Sequence, residues 1–390
     1  MTGSRRLLPA VLVLAVAFLI APAAANAANR YASPAGTGAD PCIVSSPCPI
    51  ADAVNGATSG DDVTLLGGVP PAAPFTSTAS LGLVCSPGCS IINGITVHGA
   101  PGARPVVNFN TTPGDDGFAV GTGSTLRDVV LNSSSTQTNL LEVIGGTAER
   151  VSAHNSGTDD SNYACVGGSG AIIRDSVCWF SGPAATDESS SAFAAFTQAF
   201  SVAPDTVTLR NDTIFAENGN GLLAVAANGK TMTVNATNVI ARGGAVDVKT
   251  ADFGSGTNSQ VVNLDHSNYS SRENSPTGVS TDPATNGNQT AAPVFVGADT
   301  GDFHETSASS GTLDLGTATG LLSGELDPAG LARTQGSAPD IGAFEFVPPL
   351  PAGTTPTTTS TPTTTKRKCK KGFVKKKVKG KKKCVKKKRK

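Results

Sequence analysis

Leu126-Arg127-Asp128-Val129-Val130, Ile173-Arg174-Asp175-Ser176-Val177 and Leu209-Arg210-Asn211-Asp212-Thr213 repeat one pattern: an apolar residue, an arginine, a short polar residue, then a second strand-forming run. Looser copies begin at Ala148, Val234 and Val262, so the leading apolar residues stand 22, 25, 36, 25 and 28 residues apart. A second series runs ahead of the first: Phe118-Ala119-Val120, Leu141-Glu142-Val143, Ala164-Cys165-Val166, Ala194-Ala195-Phe196, Leu223-Ala224-Val225 and Val246-Asp247-Val248. Short apolar runs bounded by Gly, Asn, Ser and Asp read as strands. Two strand series recurring at a common period describe stacked coils, each burying its apolar residues only against its neighbours.

Composition agrees. The chain has 44 Gly in 390 residues and 5 % aromatic residues. Long helical proteins use more Leu, Glu and Lys, and the glycines lack the strict third-residue period of collagen.

These repeats resemble the right-handed parallel β-helix of the pectin-lyase-like superfamily, over roughly Val63 to Phe346. The resemblance implies an all-β chain: a single right-handed parallel β-helix, capped at its N-terminus and followed by a disordered stalk and basic tail. It also implies that Asp128, Asp175 and Asn211 occupy a tight turn between strands and stack as a ladder rather than catalyse. The ends are similar to a narrower group of secreted bacterial β-helix proteins whose last coil closes with a PDIGAFE-like segment, here Pro339-Asp340-Ile341-Gly342-Ala343-Phe344-Glu345. Cys48 to Val54 fits a capping helix, amphipathic over Ile50, Ala53 and Val54.

The formal net charge of zero conceals a division. Lys366 to Lys390 holds 17 of the 30 basic residues and no acid, whereas residues 28–365 carry 11 basic and 30 acidic residues. Arg5 and Arg6 precede an apolar run from Leu7 to about Ala21, and Ala25-Asn26-Ala27 fits a cleavage site. That is the order of a secretory signal peptide, too short and too Pro-interrupted for a membrane anchor. The expected organisation is a signal peptide at 1–27, a cap region at 28–62, the β-helix at 63–347, a Thr/Pro-rich linker at 348–365 and a Lys-rich tail at 366–390, in a secreted, extracellular or wall-associated protein.

All eight cysteines follow the cleavage site, as disulfides in an oxidising compartment would. Cys42/Cys48, Cys85/Cys89 and Cys369/Cys384 are natural local pairs, leaving Cys165 and Cys178 as a further candidate pair. Zinc at Cys85-x₃-Cys89 is disfavoured because no second pair or nearby His completes four ligands. Sequons at Asn110, Asn132, Asn211, Asn235, Asn268 and Asn288 are weak evidence for glycosylation in so Asn/Thr-rich a chain.

Catalysis is poorly signalled. With Leu141, Val143, Val246 and Val248 inward, alternation points Glu142, Asp247 and Lys249 outward. The intervening coils then present Cys165, Ala195 and Ala224, which leaves the two carboxylates several coils apart. Acidic pairs Asp115-Asp116, Asp159-Asp160 and Asp187-Glu188 precede three strands of the second series. They are candidates for catalysis or for gathering Ca²⁺, with His154 as an acid-base partner and Arg150 and Arg174 as cations for a substrate carboxylate. Solvated turns and coil-surface residues are the simpler reading of all of these. No confident catalytic residue, metal site or cofactor emerges.

The expected partners are anionic envelope polymers, drawn to the tail in a salt-dependent way, and a polysaccharide ligand. Specific nucleic-acid recognition is not expected, because the tail lacks interleaved aromatic residues. The favoured function is a non-catalytic surface β-helix that binds glycans; the alternative is a polysaccharide lyase or glycoside hydrolase acting on acidic polymers.

Overall fold

The computed structural model describes residues 27–67, 83–84, 89–91, 94–100, 102–109, 117–134, 139–158, 162–183, 190–197, 204–254, 256–281, 286–348, 373–378 and 381–386. They divide into two compact units, Met1–Val347 and Pro348–Lys390.

The first unit is a parallel β-helix. One sheet carries eight strands: Cys89–Ile91, Phe118–Val120, Asn139–Val143, Tyr163–Gly167, Ser191–Phe196, Asn220–Ala227, Val246–Phe253 and Arg272–Glu273. Their spatial order is their chain order and every pairing is parallel, so each strand bonds to its equivalent one coil later. The other sheet has fifteen strands and forms two walls joined at a corner. It begins at Asn29–Ala32, paired with Asp62–Leu65, so coil stacking starts inside the segment assigned by sequence to the cap.

Registered columns of apolar residues fill the interior. Leu126, Ala148, Ile173, Leu209, Ala236 and Leu264 stack in one wall. Phe118, Leu141, Cys165, Phe193, Leu222 and Val248 stack in the facing sheet. All are buried in one cluster. The first column corrects the looser repeats: the fifth and sixth copies begin at Ala236 and Leu264, two residues beyond Val234 and Val262. In the second column the inward residues are Cys165, Phe193 and Leu222.

The helix Ile50–Asn55 buries Ile50, Ala53 and Val54. Disulfides join Cys42 to Cys48 and Cys165 to Cys178. Since Cys178 belongs to the column Leu131, Ala153, Cys178, Ile214 and Ala241, its bond to Cys165 crosses the core between two walls. These bonds are consistent with an extracellular protein, and no helix among the described residues is long and apolar enough to cross a membrane. Residues 1–26 of the expected signal peptide at 1–27, residues 349–365 of the expected linker, Cys85 and the Cys89 side chain lie outside the described residues. Asn211 and Asn268 are fully buried, leaving no room for a glycan at those two sequons.

The corner between the two walls depends on the left-handed backbone region, which short polar side chains tolerate best. Asp128, Arg150, Asp175, Asn211, Asn238 and His266 adopt φ of 58°, 51°, 53°, 55°, 55° and 44°. Asp128, Asp175 and Asn211 are therefore ladder residues as expected, and three further coils add to them. Within the ladder, Asn211 Nδ2 donates to Asp175 Oδ1 and Asn238 Nδ2 donates to Asn211 Oδ1, each at 2.9 Å.

Residues 306–347 form a strap along this corner. Asn238 exchanges two 2.8 Å bonds with the Thr317 backbone, Glu325 pairs with Arg210 and Arg333 lies 3.4 Å from Asp175. The Pro339–Glu345 segment then returns along the outer wall, where Gly342 N donates to Asn238 O at 2.9 Å and Ala343 N donates to Thr213 Oγ1 at 3.0 Å. Ala343 and Phe344 pack with Phe303 on Val106, Val130, Val177 and Trp179. The segment thus lies along the side of the solenoid, where an apolar outer wall needs cover, rather than across its last coil.

In the second unit, Phe373–Val378 and Lys381–Lys386 pair as an antiparallel hairpin, with Lys376 opposite Lys383 and Lys377 opposite Lys382. The expected disulfide between Cys369 and Cys384 lies outside the described residues. Cys384 is placed by its backbone, opposite Lys375 in the hairpin register. Cys369 and the Cys384 side chain lie outside the described residues.

Candidate functional site

Alternation within the eight-stranded sheet decides what its outer face can do. Register places Glu142, Val166, Ala194, Leu223 and Lys249 in one column. The outward residues on the intervening coils are thus Val166, Ala194 and Leu223, not Cys165, Ala195 and Ala224, which lie in the main core. Val166, Ala194, Leu223 and Val225 form a separate buried apolar cluster with Tyr163, against which Phe196 and Ala251 pack. Aliphatic side chains have no proton to give or take, so Val166, Ala194 and Leu223 offer a glycosidic bond no acid or base. Asp247, expected outward, accepts the amides of Gly243, Ser270 and Ser271 at 2.7 to 3.1 Å and holds the backbone between coils. Lys249 lies 3.6 Å from Glu273.

His154 stacks on Trp179 with ring centroids 3.5 Å apart, its Nε2 2.7 Å from Ser181 Oγ. Burial pushes its pKa down to about 4, so near neutrality the ring is uncharged and fixed on an aromatic surface. Asp115, Asp116, Asp159, Asp160, Asp187 and Glu188 lie outside the described residues. Among the described residues, no group of three or more His, Cys, Asp or Glu side chains could hold a metal ion.

The corner instead gathers cations. Thr64, His98, Arg127, Glu149, Arg174, Arg210, Thr237 and Asp265 occupy equivalent positions on successive coils, and adjacent strands lie ~4.8 Å apart. Arg150 grips Asp128 with Nε at 2.6 Å and Nη2 at 3.0 Å, while its other edge meets Glu149. Arg174 reaches the second oxygen of Glu149 at 2.8 Å. Arg150 and Arg174, candidates for a substrate carboxylate, are thereby engaged by carboxylates of the chain itself.

At the early-coil end of this column, a cleft of about 370 Å³ opens between the corner and the strap, lined by the loop at 98–104, by Arg127, Asp128 and Arg150, and by Leu326, Asp327, Pro328 and Gly330. Arg104 is 2 % exposed, and its burial lowers its pKa to about 10 although Asp128 and Asp327 stabilise the charge. The two ring nitrogens of His98 lie 2.6 Å from Gly99 O and 2.7 Å from Asp62 Oδ1. Arg127 is the accessible cation: its side chain is 39 % exposed and its Nη1 stands 4.0 Å from Asp128 Oδ2, beyond hydrogen-bond reach. Sequence reading missed this cleft, because its walls come from the 98–104 loop, two ladder coils and a strap some two hundred residues away. The arginine that follows Leu126, Ile173 and Leu209 was its only local signal.

No family model matches the chain, and no curated protein does. Among solved structures, the chain is similar to one described as the crystal structure of pectate lyase Pel9A, with 16 % identity, a TM-score of 0.43, and coverage of 82 % of this chain and 96 % of that one.

Proposed function

We propose that this is an extracellular, non-catalytic β-helix protein that attaches to anionic envelope polymers through its Lys-rich C-terminal unit and presents its rigid body to glycans. The observation that carries this reading is the hairpin register, which sets Lys376 against Lys383 and Lys377 against Lys382. Like charges directly opposed across a strand pair destabilise it, and a bound polyanion turns that repulsion into attraction. Residues 28–365, with 11 basic and 30 acidic residues, would be repelled by the same polymer, so attachment falls to the tail. The alternative, cleavage of acidic polysaccharide, gains no support from a neutral, stacked His154 or from an apolar outer sheet face.

Two measurements test the proposal. Intact cells washed in rising salt should release the protein, because binding by several cations weakens by orders of magnitude between about 50 and 200 mM salt. A variant with Lys376, Lys377, Lys382 and Lys383 all changed to Gln should elute at lower salt. Retention of the unaltered protein in concentrated salt would sink the electrostatic attachment, and release of unsaturated or reducing sugar products from uronate polymers would sink the non-catalytic assignment.

A further inference from the structure

We propose that Asp175 on the coils and Glu325 on the strap share one proton, and that this pair is a pH-sensitive latch. It holds residues 317–325 on the corner through the mildly acidic and neutral range and releases them in alkali. The latch belongs to the β-helix body and is independent of the polymer attachment proposed for the tail.

Two carboxyls meet where the strap crosses the ladder. Asp175 is fully buried and Glu325 is 8 % exposed. Both turn an oxygen toward one amide nitrogen, Asn211 Nδ2, which stands 2.9 Å from Asp175 Oδ1 and 3.5 Å from Glu325 Oε1. Glu325 is well supplied with donors, since Arg210 bonds the same Oε1 and the Leu322 amide bonds Oε2. Asp175 is not: its Oδ2 is buried and no donor of the chain reaches it. Ionised, Asp175 would bury a carboxylate oxygen with nothing bonded to it, among the costliest arrangements in a protein interior. A proton on Oδ2 makes that oxygen a donor, and the Glu325 carboxylate is its acceptor.

The charged groups around the pair do not replace that proton. On the preceding coils, Arg127, Arg150 and Arg174 face Asp128 and Glu149. Arg210 pairs with Glu325 and also lies beside Asp212. Arg333, 3.4 Å from Asp175, is shared with Glu345 at 3.6 Å and with Asp327 and Asp340. Arg104 stands by Asp327, and His304 is taken up by Asp302. Even with every one of these cations charged, the carboxyls outnumber them, so full ionisation would leave net negative charge in the seam.

Burial holds Asp175 well above the usual carboxylate range, against the pull of Arg333 and with reinforcement from Glu325. Glu325 is lowered in spite of burial, by bonds from Asp175, the Leu322 amide and Arg210. The raised group stabilises fully below its unfolded pKa, and that effect is lost as pH rises through the folded value; the lowered group loses its effect only as pH falls into the acid range. Between those limits the pair keeps one proton. Above the upper limit two like charges repel in a desolvated seam. Arg333 is drawn to an ionised Asp175 and keeps its own end of the strap, so the part that lifts is 317–325, which bares the ladder between Asn211 and Asn238.

Hydrogen exchange read by mass spectrometry on the full disulfide-bonded chain tests the latch, on peptides covering residues 315–326. These contain the Thr317 amide bonded to Asn238 and the Leu322 amide bonded to Glu325. The unaltered protein is compared with Asp175→Asn at pH 6 and at pH 9, after correction for intrinsic exchange. Asparagine tolerates the left-handed backbone at this position, and its amide donates to Glu325 at every pH. The two proteins should exchange equally at pH 6. At pH 9 the unaltered one should exchange about tenfold or more faster, since loss of one proton changes an opening constant by up to about tenfold per pH unit. Peptides covering 231–237 in the coils should keep their protection throughout. Glu325→Gln, whose amide donates to Asp175, should also lose the pH response, and it carries the comparison if Asp175→Asn fails to fold. Equal exchange of unaltered and variant chains at pH 9, or a loss at 231–237 that parallels the one at 315–326, would overturn the proposal.

Discussion

Replacing Arg333 with Met should open the strap while leaving the coils stacked. Arg333 is 2 % exposed and donates to the carbonyls of Ala343 and Gly342, each at 2.8 Å. It also lies 3.4 Å from Asp175 and 3.6 Å from Glu345. Methionine fills much of the volume but strands two carbonyls and two buried carboxyls. Breaking a buried pair from one side costs about 3–5 kcal/mol, and the carbonyl bonds alone account for about 2 kcal/mol. The cost should depend on pH. Burial raises the pKa of Asp175, and it raises that of Glu345 to about 7. Groups raised in the folded state contribute stability that is complete below their unfolded pKa values and is lost as pH rises through the folded ones. At pH 5 both carboxyls are protonated, so Arg333→Met should cost about 2 kcal/mol; at pH 8 the stranded charges bring it to about 4 kcal/mol. At about 1.4 kcal/mol per decade, local opening rises about thirtyfold at pH 5 and by nearly three decades at pH 8. Hydrogen exchange read by mass spectrometry on peptides covering residues 339–346 reports this directly, through the Gly342 and Ala343 amides bonded to Asn238 and Thr213. Unchanged protection at pH 8, or an equal loss at both pH values, would refute the reasoning.

Other outcomes follow from the same structure. At the corner, Asn211→Gly keeps the left-handed backbone but removes the ladder amide and should cost about 1–3 kcal/mol, whereas Asn211→Val should cost distinctly more, because a β-branched residue disfavours φ of 55°; equal urea midpoints would show that the backbone is not limiting. The double change Cys165→Ala with Cys178→Ala removes a bond spanning 13 residues through the core and should lower stability by about 2–4 kcal/mol in urea unfolding, and no shift in midpoint would contradict its role as a staple. His154, with its pKa depressed to about 4, should show no imidazole titration by NMR between pH 6 and 8. Its contribution to stability is present above about pH 6.5 and is lost as pH falls toward 4; a midpoint near 6.5 would place the ring in solvent.

Parts of this architecture are legible in sequence because local chemistry demands particular residues. The corner requires positive φ, and Asp128, Asp175 and Asn211 advertise it because short polar side chains tolerate that region. Arg150 and His266 occupy the same corner without that signal. Their coils are held by registered neighbours and, for Arg150, by its grip on Asp128. Between Thr231 and Thr237 the alternation is regular, but regular alternation carries period and not phase, which is why Val234 reads as the leading residue in place of Ala236. The one-residue slip at Cys165, Ala195 and Ala224 has a different cause. Ala164, Cys165 and Val166 are all buried, as are Leu222, Leu223 and Ala224, and a strand buried on both faces has no polar side to orient it. Cysteine spacing is legible to the same limited degree. It singles out Cys42 with Cys48 directly and leaves Cys165 with Cys178 only as a remainder, yet both pairs are bonded. The arginine cleft and the path of the strap are set by contacts across long stretches of chain, which no local pattern encodes.

A solenoid of interchangeable coils can in principle lengthen by duplicating one of them, since each coil meets only its neighbours. The strap removes that freedom. Its fixed length of chain spans from Thr317 at Asn238, through Glu325 at Arg210, to Asp327 beside Arg104 and Arg150. An added coil would displace everything beyond it by ~4.8 Å, pulling either the Asn238 pairing or the Arg210 pairing out of reach. The strap therefore acts as a ruler that fixes the number of turns. Lineages carrying it should vary in their loops and tails while conserving the count of coils between the cleft and Asn238.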